Sequence, residues 1–160
     1  TRKESSAASD VYKRQPQQAG LIAHRAGVAN QSGWCPVNAL DFESSLQPGI
    51  HVIGDATIAA PMPKSAFAAN AQAKVCAIQI VRAFAELEIE ATTLANTCYS
   101  FITRDSAISV SDVYRNDGGE LVSIKGAGGI SPLDAPDEFR TREANQARDW
   151  FDTLTRETFL

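Results

Sequence analysis

The sequence has few cysteines and histidines, and their spacing excludes several kinds of site. Cys35, Cys76 and Cys98 form no CxxC pair, and an odd number leaves at least one thiol free or paired outside the chain. The two histidines, His24 and His51, have no cysteine at a spacing typical of zinc sites. No CxxCH motif is present, so a covalently attached c-type haem is excluded on this chain. We therefore expect no metal site here.

Long apolar runs and basic clusters are also absent. No run approaches the roughly 18 residues that a membrane-spanning helix needs, and no signal-peptide pattern stands at the N-terminus. The formal net charge is -4, and no basic cluster alternates with aromatic residues, which argues against a nucleic-acid surface. A hydrophobic content of 44% and a charged content of 21% are ordinary for a globular protein.

The first residues give little structural signal. Residues 1–15 are polar and lack periodicity, which predicts a disordered tail. The string at 9–15 is also similar to a translated sequencing-adapter remnant, so this tail is either disordered or artefactual. After it, residues 16–29 have a short helical pattern. Its apolar side would carry Ala19, Ile22, Ala23 and Ala26.

The chain is organised around the stretch from Ile50 to Ala56. Four mostly apolar residues precede Gly54 and Asp55, which predicts a buried strand that delivers one carboxylate to a crevice, where open α/β sheets bind ligands. Gly54 would allow a tight turn and the close approach of a ligand. The Asp55 carboxylate can accept two hydroxyl hydrogen bonds, as a ribose or ribityl chain requires. The alternative is a strand and an ordinary turn before a core helix.

A long helix is predicted from Ser65 to about Leu87. Ser65 is a good N-cap, and apolar residues cover most of the helix, which is typical of a helix inside a larger protein. Polar residues are confined to a narrow stripe: Gln72, Gln79, Arg82 and Glu86. Cys76 is interpreted as a core thiol. Lys64 places a cation beside the helix N-terminus, which is mildly unfavourable unless an anion lies nearby.

The last part of the chain predicts a small antiparallel sheet with a covering helix. Strands are predicted at 97–103, 107–115 and 120–125, and a turn at 116–119 joins the last two. The glycines at 126–129 predict a loop, because no helix starts directly after them as a phosphate site requires. A final helix is predicted from Asp137 to about Thr155. Its buried side would carry Phe139, Ala147, Trp150, Phe151 and Leu154.

Several short motifs together resemble one family. The segment at 51–56 (HVIGDA) is similar to the second flavin-binding motif of FAD-linked disulfide reductases. With 33–37 (GWCPV), 61–65 (PMPKS) and 96–100 (NTCYS), it resembles the flavoprotein subunit of flavocytochrome c sulfide dehydrogenase. The resemblance runs from about residue 16 to 160 and corresponds to the C-terminal portion of that subunit. The G-x-G-x-x-G fingerprint that holds the FAD pyrophosphate is not in this sequence.

The resemblance implies a fold class of α/β plus α+β. Residues 16–90 would be the remainder of a FAD/NAD-binding domain of the disulfide-reductase type, with strand, Gly-Asp motif and long helix. Residues 91–160 would be a C-terminal flavin-binding and interface domain, a small antiparallel sheet with helical cover.

The resemblance also implies a site. Cys98 would be one half of a redox-active disulfide beside the flavin, with its partner cysteine in an N-terminal portion of the same protein. Taken alone, Cys98 is a half-buried strand thiol, and such thiols are commonly inert. Trp150 is explained equally well as a packing anchor. Lys64 and the helix N-terminus would favour an anionic reduced flavin. The implied cofactor-binding residues are Gly54, Asp55, Met62, Pro63, Lys64, Ser65 and Trp150.

The implied function is sulfide oxidation at a cysteine disulfide next to FAD, with electrons passed to a separate c-type cytochrome subunit that carries the haem. The family is exported to the periplasm, where a disulfide is stable. The 160 residues alone would be inactive and would bind FAD weakly. Two alternatives stay open: a quinone- or pyridine-nucleotide-linked FAD reductase of the same superfamily, and a non-catalytic flavin- or cytochrome-docking module.

Overall fold

The computed structural model describes residues 17–159, so the prediction for residues 1–15 lies outside the described residues. The helices are α1 (Leu21–Arg25), α2 (Ala66–Phe84) and α3 (Asp137–Phe159), with one 3-10 turn at Gly54–Ala56. The strands are β1 (Cys35–Pro36), β2 (Thr57–Ile58), β3 (Thr93–Thr103), β4 (Ser106–Asp117), β5 (Glu120–Ser123) and β6 (Gly129–Ile130). The fold is a mixture of helices and an antiparallel sheet, as predicted for the C-terminal part.

The main sheet has four strands and one long free edge. Strand β4 pairs with β3 on one side and with β5 and β6 on the other, all antiparallel. The β4–β5 hairpin turns through Gly118 and Gly119, whose φ angles of 64° and 94° suit a two-residue loop that glycine favours. The three predicted strands and the turn are confirmed, although β3 begins earlier and β5 ends earlier than expected. Strand β6 lies partly in the segment predicted to be a loop. Strand β3 is therefore an edge strand.

Helix α2 forms where its sequence predicts, and Ser65 caps it. The Ser65 hydroxyl accepts a hydrogen bond from the backbone N–H of Ala68 at 3.0 Å, which satisfies one of the N–H groups that a helix start leaves free. Cys76 is buried in the core, as predicted. The chain leaves the helix at Glu86, which has a φ of 53°.

Two residues of the predicted polar stripe, Gln72 and Gln79, face inward, whereas Arg82 is half-buried and Glu86 is exposed. Gln72 is buried, and its Oε1 accepts a hydrogen bond from the N–H of Gly54 at 2.7 Å. Gln79 is also buried, and its Nε2 donates to the carbonyl oxygen of Glu90 at 2.6 Å. The two amides thus tie α2 to the chain before and after it. The opposite face of α2 exposes Ile78, Val81 and Phe84, which have exposed fractions of 55%, 67% and 87%.

The two long helices pack on opposite faces of the sheet. Leu94 and Tyr114, which face each other across β3 and β4, lie in one core cluster with residues of α2. Ser109, on the other face of β4, donates to the Glu143 carboxylate of α3 at 2.6 Å. The main core cluster consists of Ala39, Phe42, Met62, Ala68, Val75, Cys76, Leu94, Tyr114 and Leu121.

Three predictions of local structure were wrong. The apolar run from Ile50 to Ile53 is not a buried strand: both of these isoleucines are 40% exposed, and only an isolated bridge joins His51 to Glu43. Two backbone hydrogen bonds join the run to residues 42–44, from Val52 N–H to Phe42 O and from Ser44 N–H to Ile50 O, but among the described residues this pairing extends no further. The first helix is confined to Leu21–Arg25, and Ile22 is 77% exposed although Ala19 and Ala23 are buried.

The third error concerns the buried side of α3. Of the five residues predicted to be buried, Ala147 is buried and Phe151 is 61% exposed; the other three, Phe139, Trp150 and Leu154, are half-buried. The helix also runs on to Phe159. The division at residues 90 and 91, and the disulfide-reductase type of the first part, remain predictions.

Candidate functional site

A cavity of about 550 Å³ opens at the free edge of β3, where the start of α2 meets the C-terminal half of α3. Its size lies in the range of small-molecule sites. Three elements line it: Ser65, Ala66 and Phe67 from α2; Thr97, Cys98, Tyr99 and Phe101 from β3; and Ala147, Arg148, Trp150, Phe151 and Asp152 from α3. Because β3 is an edge strand, nothing on that side of the sheet separates the two helices.

An aromatic pair forms one wall of this cavity. The rings of Phe67 and Trp150 stack with their centroids 5.2 Å apart and an interplanar angle of 17°. Stacked rings of this kind add to the stability that burial of their surface provides. The pair links α2 to α3, and it presents flat apolar surface to a ligand.

The start of α2 adds polar groups to the apolar wall. Ala66 and Phe67 occupy the first turn, where backbone N–H groups have no carbonyl partner within the helix. These groups carry partial positive charge and favour an anion or a carbonyl oxygen. The cavity thus combines a flat apolar wall with hydrogen-bond donors at one end.

Cys98 lies at the wall contributed by β3. It is half-buried, and the Nδ2 of Asn96 lies 3.3 Å from its Sγ. Cys98 also lines a second concavity of about 710 Å³, on the side of Asp112 and the glycine loop at 126–129. Its sulfur therefore lies between two openings. Within residues 17–159, Cys35, Cys76 and Cys98 are all free thiols.

Tyr99 follows Cys98 and lines the same cavity. Burial, with a smaller contribution from the Glu143 carboxylate, raises the pKa of the Tyr99 phenol above its ordinary value. The phenol therefore stays neutral at physiological pH and is available as a hydrogen-bond donor.

Asp55 and Gly54 stand apart from the residues that line the cavity. They form a 3-10 turn that packs on α2, and Asp55 is exposed. Gly54 has a φ of 73°, and a Cβ built there would lie 3.4 Å from the Cβ of Ala69. This position therefore favours glycine for its backbone conformation. The structure brings the α2 start, Cys98 and Trp150 together, but not the Asp55 carboxylate.

Lys64 does not line the cavity either. Its Nζ donates to the carbonyl oxygens of Asp55 at 2.6 Å and Thr57 at 2.7 Å, and it lies 3.8 Å from the centroid of the Trp34 ring. Desolvation lowers the pKa of the lysine, and the charges of Asp55 and Cys35 oppose this change. The side chain thus holds the turn after Gly54 against the Trp34 loop.

Met62 and Pro63 lie with Lys64 around a smaller cleft of about 190 Å³. Met62 is also part of the main core, 5% exposed, with its Sδ accepting from Nε2 of Gln72 at 3.6 Å. Among the residues predicted to bind a cofactor, Ser65 and Trp150 are the two that line the larger cavity.

Sequence reasoning missed several residues of the cavity. Phe67, Phe101 and Arg148 were not singled out as site residues. The Arg148 guanidinium lies 5.4 Å from the Phe101 ring centroid and donates to the carbonyl oxygen of Arg104. No local signal marks these residues, because their roles depend on the meeting of β3 with α3.

The fold and the site define a class of protein: a domain of helices and an antiparallel sheet with an aromatic-walled cavity of small-molecule size. Residues 90–159 match the family model described as flavocytochrome c sulphide dehydrogenase, flavin-binding. This segment of the chain is therefore similar to the flavin-binding domain of that family, whose name describes an oxidoreductase, and the match supports FAD as the cofactor. The name of the family also implies a cytochrome partner.

The residues of the cavity fit a flavin. The Phe67 and Trp150 rings offer the surface that a flat aromatic ring system requires, and the start of α2 offers N–H donors for ring carbonyl oxygens. Between residues 17 and 159, no group of three His, Cys, Asp or Glu side chains could hold a metal ion. In the same range, no helix has the length and apolar character needed to cross a membrane.

Proposed function

We propose that this chain is the C-terminal part of a sulfide dehydrogenase flavoprotein. Sulfide is oxidised at a disulfide between Cys98 and a cysteine of the N-terminal portion, beside FAD, and the electrons leave to a c-type cytochrome subunit. The observation that carries this proposal is the position of Cys98, on the wall of the same cavity as Trp150 and the start of α2.

Residues of three segments would hold the cofactor. Phe67 and Trp150 would contact the ring system, and the first-turn N–H groups of α2 would bind its polar edge. Gly54 would hold the turn that presents Asp55, and Asp55 would accept hydroxyl groups of the chain that follows the ring. When bound, FAD supplies a two-electron acceptor.

Cys98 supplies the sulfur chemistry. Hydrosulfide attacks one sulfur of the disulfide; that S–S bond breaks, a new one forms to give a cysteine persulfide, and the other cysteine leaves as a thiolate. When the disulfide re-forms, one sulfur atom and one proton are released and two electrons are given up. The half-exposed position of Cys98 between two openings supports this role, since one opening would admit sulfide and the other would hold the electron acceptor.

The surface of α2 supports the proposed organisation. Ile78, Val81 and Phe84 form an exposed apolar face that an N-terminal portion of the same protein would cover. Residues 16–90 would complete the FAD-binding domain of that portion, and residues 91–160 would form the C-terminal flavin-binding and interface domain. A protein with this disulfide would work in the periplasm, because such bonds persist in oxidising compartments.

A substitution of Trp150 tests the cavity as the flavin site. In the flavoprotein that contains this chain, Trp150→Ala removes the stacking surface, and the dissociation constant of FAD should rise about tenfold or more. Trp150→Phe retains an aromatic ring and should restore most of the affinity. Equilibrium titration of the apoprotein with FAD measures both effects.

The matched control for this titration is Phe159→Ala. Phe159 is an aromatic residue at the end of the same helix, 78% exposed and outside the cavity. The Phe159→Ala variant should bind FAD with unchanged affinity. An unchanged affinity in Trp150→Ala, with the thermal melting temperature of the apoprotein preserved, would remove the cavity from the proposal.

A further inference from the structure

The side chain of Cys98 lies on a face of the sheet that α2 covers only in part. Alternate residues of a strand share a face, and Leu94 and Tyr114 of this face pack with α2 in the main core. Further along, the register places Cys98 opposite Val110, and Val110 opposite Ile130 of β6. Val110 and Ile130 are 47% and 74% exposed. The row that contains the Cys98 sulfur is therefore uncovered.

The second concavity, of about 710 Å³, has this uncovered face as its floor. One wall is the segment before α2, with Pro61 and Pro63, and the other is the glycine loop at 126–129. Gly128 lies so close to β4 that a Cβ there would be 2.5 Å from the carbonyl oxygen of Ser111. Glycine at this position therefore lets the loop approach β4 and form the wall.

A buried tyrosine faces the concavity. Tyr114 is 3% exposed, and it lines the concavity together with Cys98 and Asp112. Desolvation raises the pKa of its phenol, and the charges of Asp112 and Cys98 raise it further, so the phenol lies near both residues and stays protonated. Within residues 17–159, no group is hydrogen-bonded to the Tyr114 hydroxyl. A buried hydroxyl normally has a partner, and a ligand in the concavity would supply one.

The charges around the concavity allow a small anion to enter. The Asp112 carboxylate opposes an anion, but both of its oxygens already accept hydrogen bonds, Oδ2 from the Ser123 hydroxyl at 2.5 Å and Oδ1 from the N–H of Val113 at 2.8 Å. Lys125 lines the concavity and carries the opposite charge. The start of α2, which follows the Pro63 wall, adds partial positive charge. The charged side chains of α3 line the first cavity instead.

We infer that the second concavity is the sulfide site, where hydrosulfide accepts a hydrogen bond from the Tyr114 hydroxyl and attacks the sulfur of Cys98. The S–S bond to the partner cysteine breaks, and that cysteine leaves as a thiolate with the electron pair. A new S–S bond makes Cys98 the persulfide, and the proton of hydrosulfide stays on its outer sulfur. This inference rests on the proposed function and adds which opening admits the substrate and which cysteine carries the sulfur.

Mass spectrometry after a single turnover tests where the sulfur goes. The flavoprotein that contains this chain, with FAD bound and the disulfide intact, is mixed with one equivalent of sulfide without oxygen and trapped with iodoacetamide. Trypsin releases Cys98 on residues 83–104, and we expect one additional sulfur atom on this peptide. Sulfur on the partner cysteine alone would overturn the inference and leave the proposed function intact. No persulfide on either cysteine would contradict both.

Two substitutions test the route and the hydrogen bond. Tyr114→Phe keeps the ring in the core and removes the donor, so the KM for sulfide should rise about fivefold with little change in kcat. Val110→Phe adds bulk beside the sulfur at a half-exposed position, and kcat/KM for sulfide should fall about tenfold or more. Both variants should bind FAD with wild-type affinity. The matched control is Ile108→Phe, on the same strand and face, 37% exposed and outside both cavities.

A wild-type KM in Tyr114→Phe would contradict the hydrogen bond, and equal effects in Val110→Phe and Ile108→Phe would contradict the route. If Val110→Phe does not fold, the isosteric Tyr114→Phe and the persulfide position decide the question. These results are distinct from failure of the proposed function, which would appear as sulfide turnover that does not require Cys98.

Discussion

Cys98→Ser is expected to abolish sulfide-dependent reduction of cytochrome c, with a loss of about 10³-fold or more in kcat/KM. The serine hydroxyl cannot form the disulfide or the persulfide, so the covalent route is lost entirely. The substitution is nearly isosteric, and the aromatic wall and the start of α2 remain in place, so FAD should stay bound. Turnover is measured with the flavoprotein and its cytochrome subunit, and the flavin content is measured by absorbance.

The control for this result is Cys76→Ala. Cys76 lies on α2 in the main core, is 6% exposed and does not line the cavity. Its replacement should leave sulfide turnover close to that of the wild type. Turnover retained in Cys98→Ser would exclude the cysteine from the mechanism. A full-length sequence without a second suitably placed cysteine would instead favour a docking module.

Glu143→Ala should lower the free energy of unfolding by about 3 kcal/mol. Glu143 is 3% exposed, and its Oε1 accepts hydrogen bonds from the hydroxyls of Ser109 and Ser131. Its Oε2 lies 3.6 Å from the Nη1 of Arg140, whose side chain is also largely buried. Removal of the carboxylate leaves the guanidinium without its counter-charge and the two hydroxyls without this acceptor. Urea denaturation of the variant measures the loss.

The matched control is a glutamate of the same helix in an exposed ion pair with α2. The Oε2 of Glu157 lies 2.7 Å from the Nζ of Lys74, and the two side chains are 44% and 55% exposed, respectively. Glu157→Ala should change the free energy of unfolding by less than about 1 kcal/mol, because solvent screens the pair. Equal effects in the two variants would mean that the buried carboxylate does not hold α3 to the sheet.

Local sequence signals predicted α2 and the hairpin well. Ser65 as a cap, the alanine-rich helix and the glycine pair at 118–119 each act within a few residues, so their structures follow from nearby sequence. The prediction of a buried strand at 50–53 was wrong because an apolar pattern is not sufficient to form a strand. A strand also needs a continuous neighbour, and within the described residues this run has only a short pairing with residues 42–44.

The local sequence also did not predict which residues of α3 are buried. Apolar spacing suggested that Trp150 and Phe151 would be buried, whereas the sheet covers the side that carries Glu143, Ala144 and Ala147. A buried glutamate is unexpected from sequence because its hydroxyl partners lie on β4 and in the segment after β6. Only the assembled sheet brings these partners together.

Only part of the candidate site was predicted, because some of its residues meet only in the assembled fold. Cys98, Ser65 and Trp150 were singled out from the sequence, and they do meet at one cavity. Lys64 was expected to lie near the ring, but backbone carbonyls and the Trp34 ring bind its ammonium group instead. Phe67 was not assigned a role at the site, since its partner Trp150 lies on another element.

A crystal structure of the flavin-loaded protein tests the central claim most directly, because it shows which surface the isoalloxazine ring contacts. The ring is expected in the cavity at the edge of β3, against Trp150, with its polar edge at the start of α2 and the Cys98 sulfur in contact with it. A ring bound elsewhere, with Cys98 out of contact, would contradict the account.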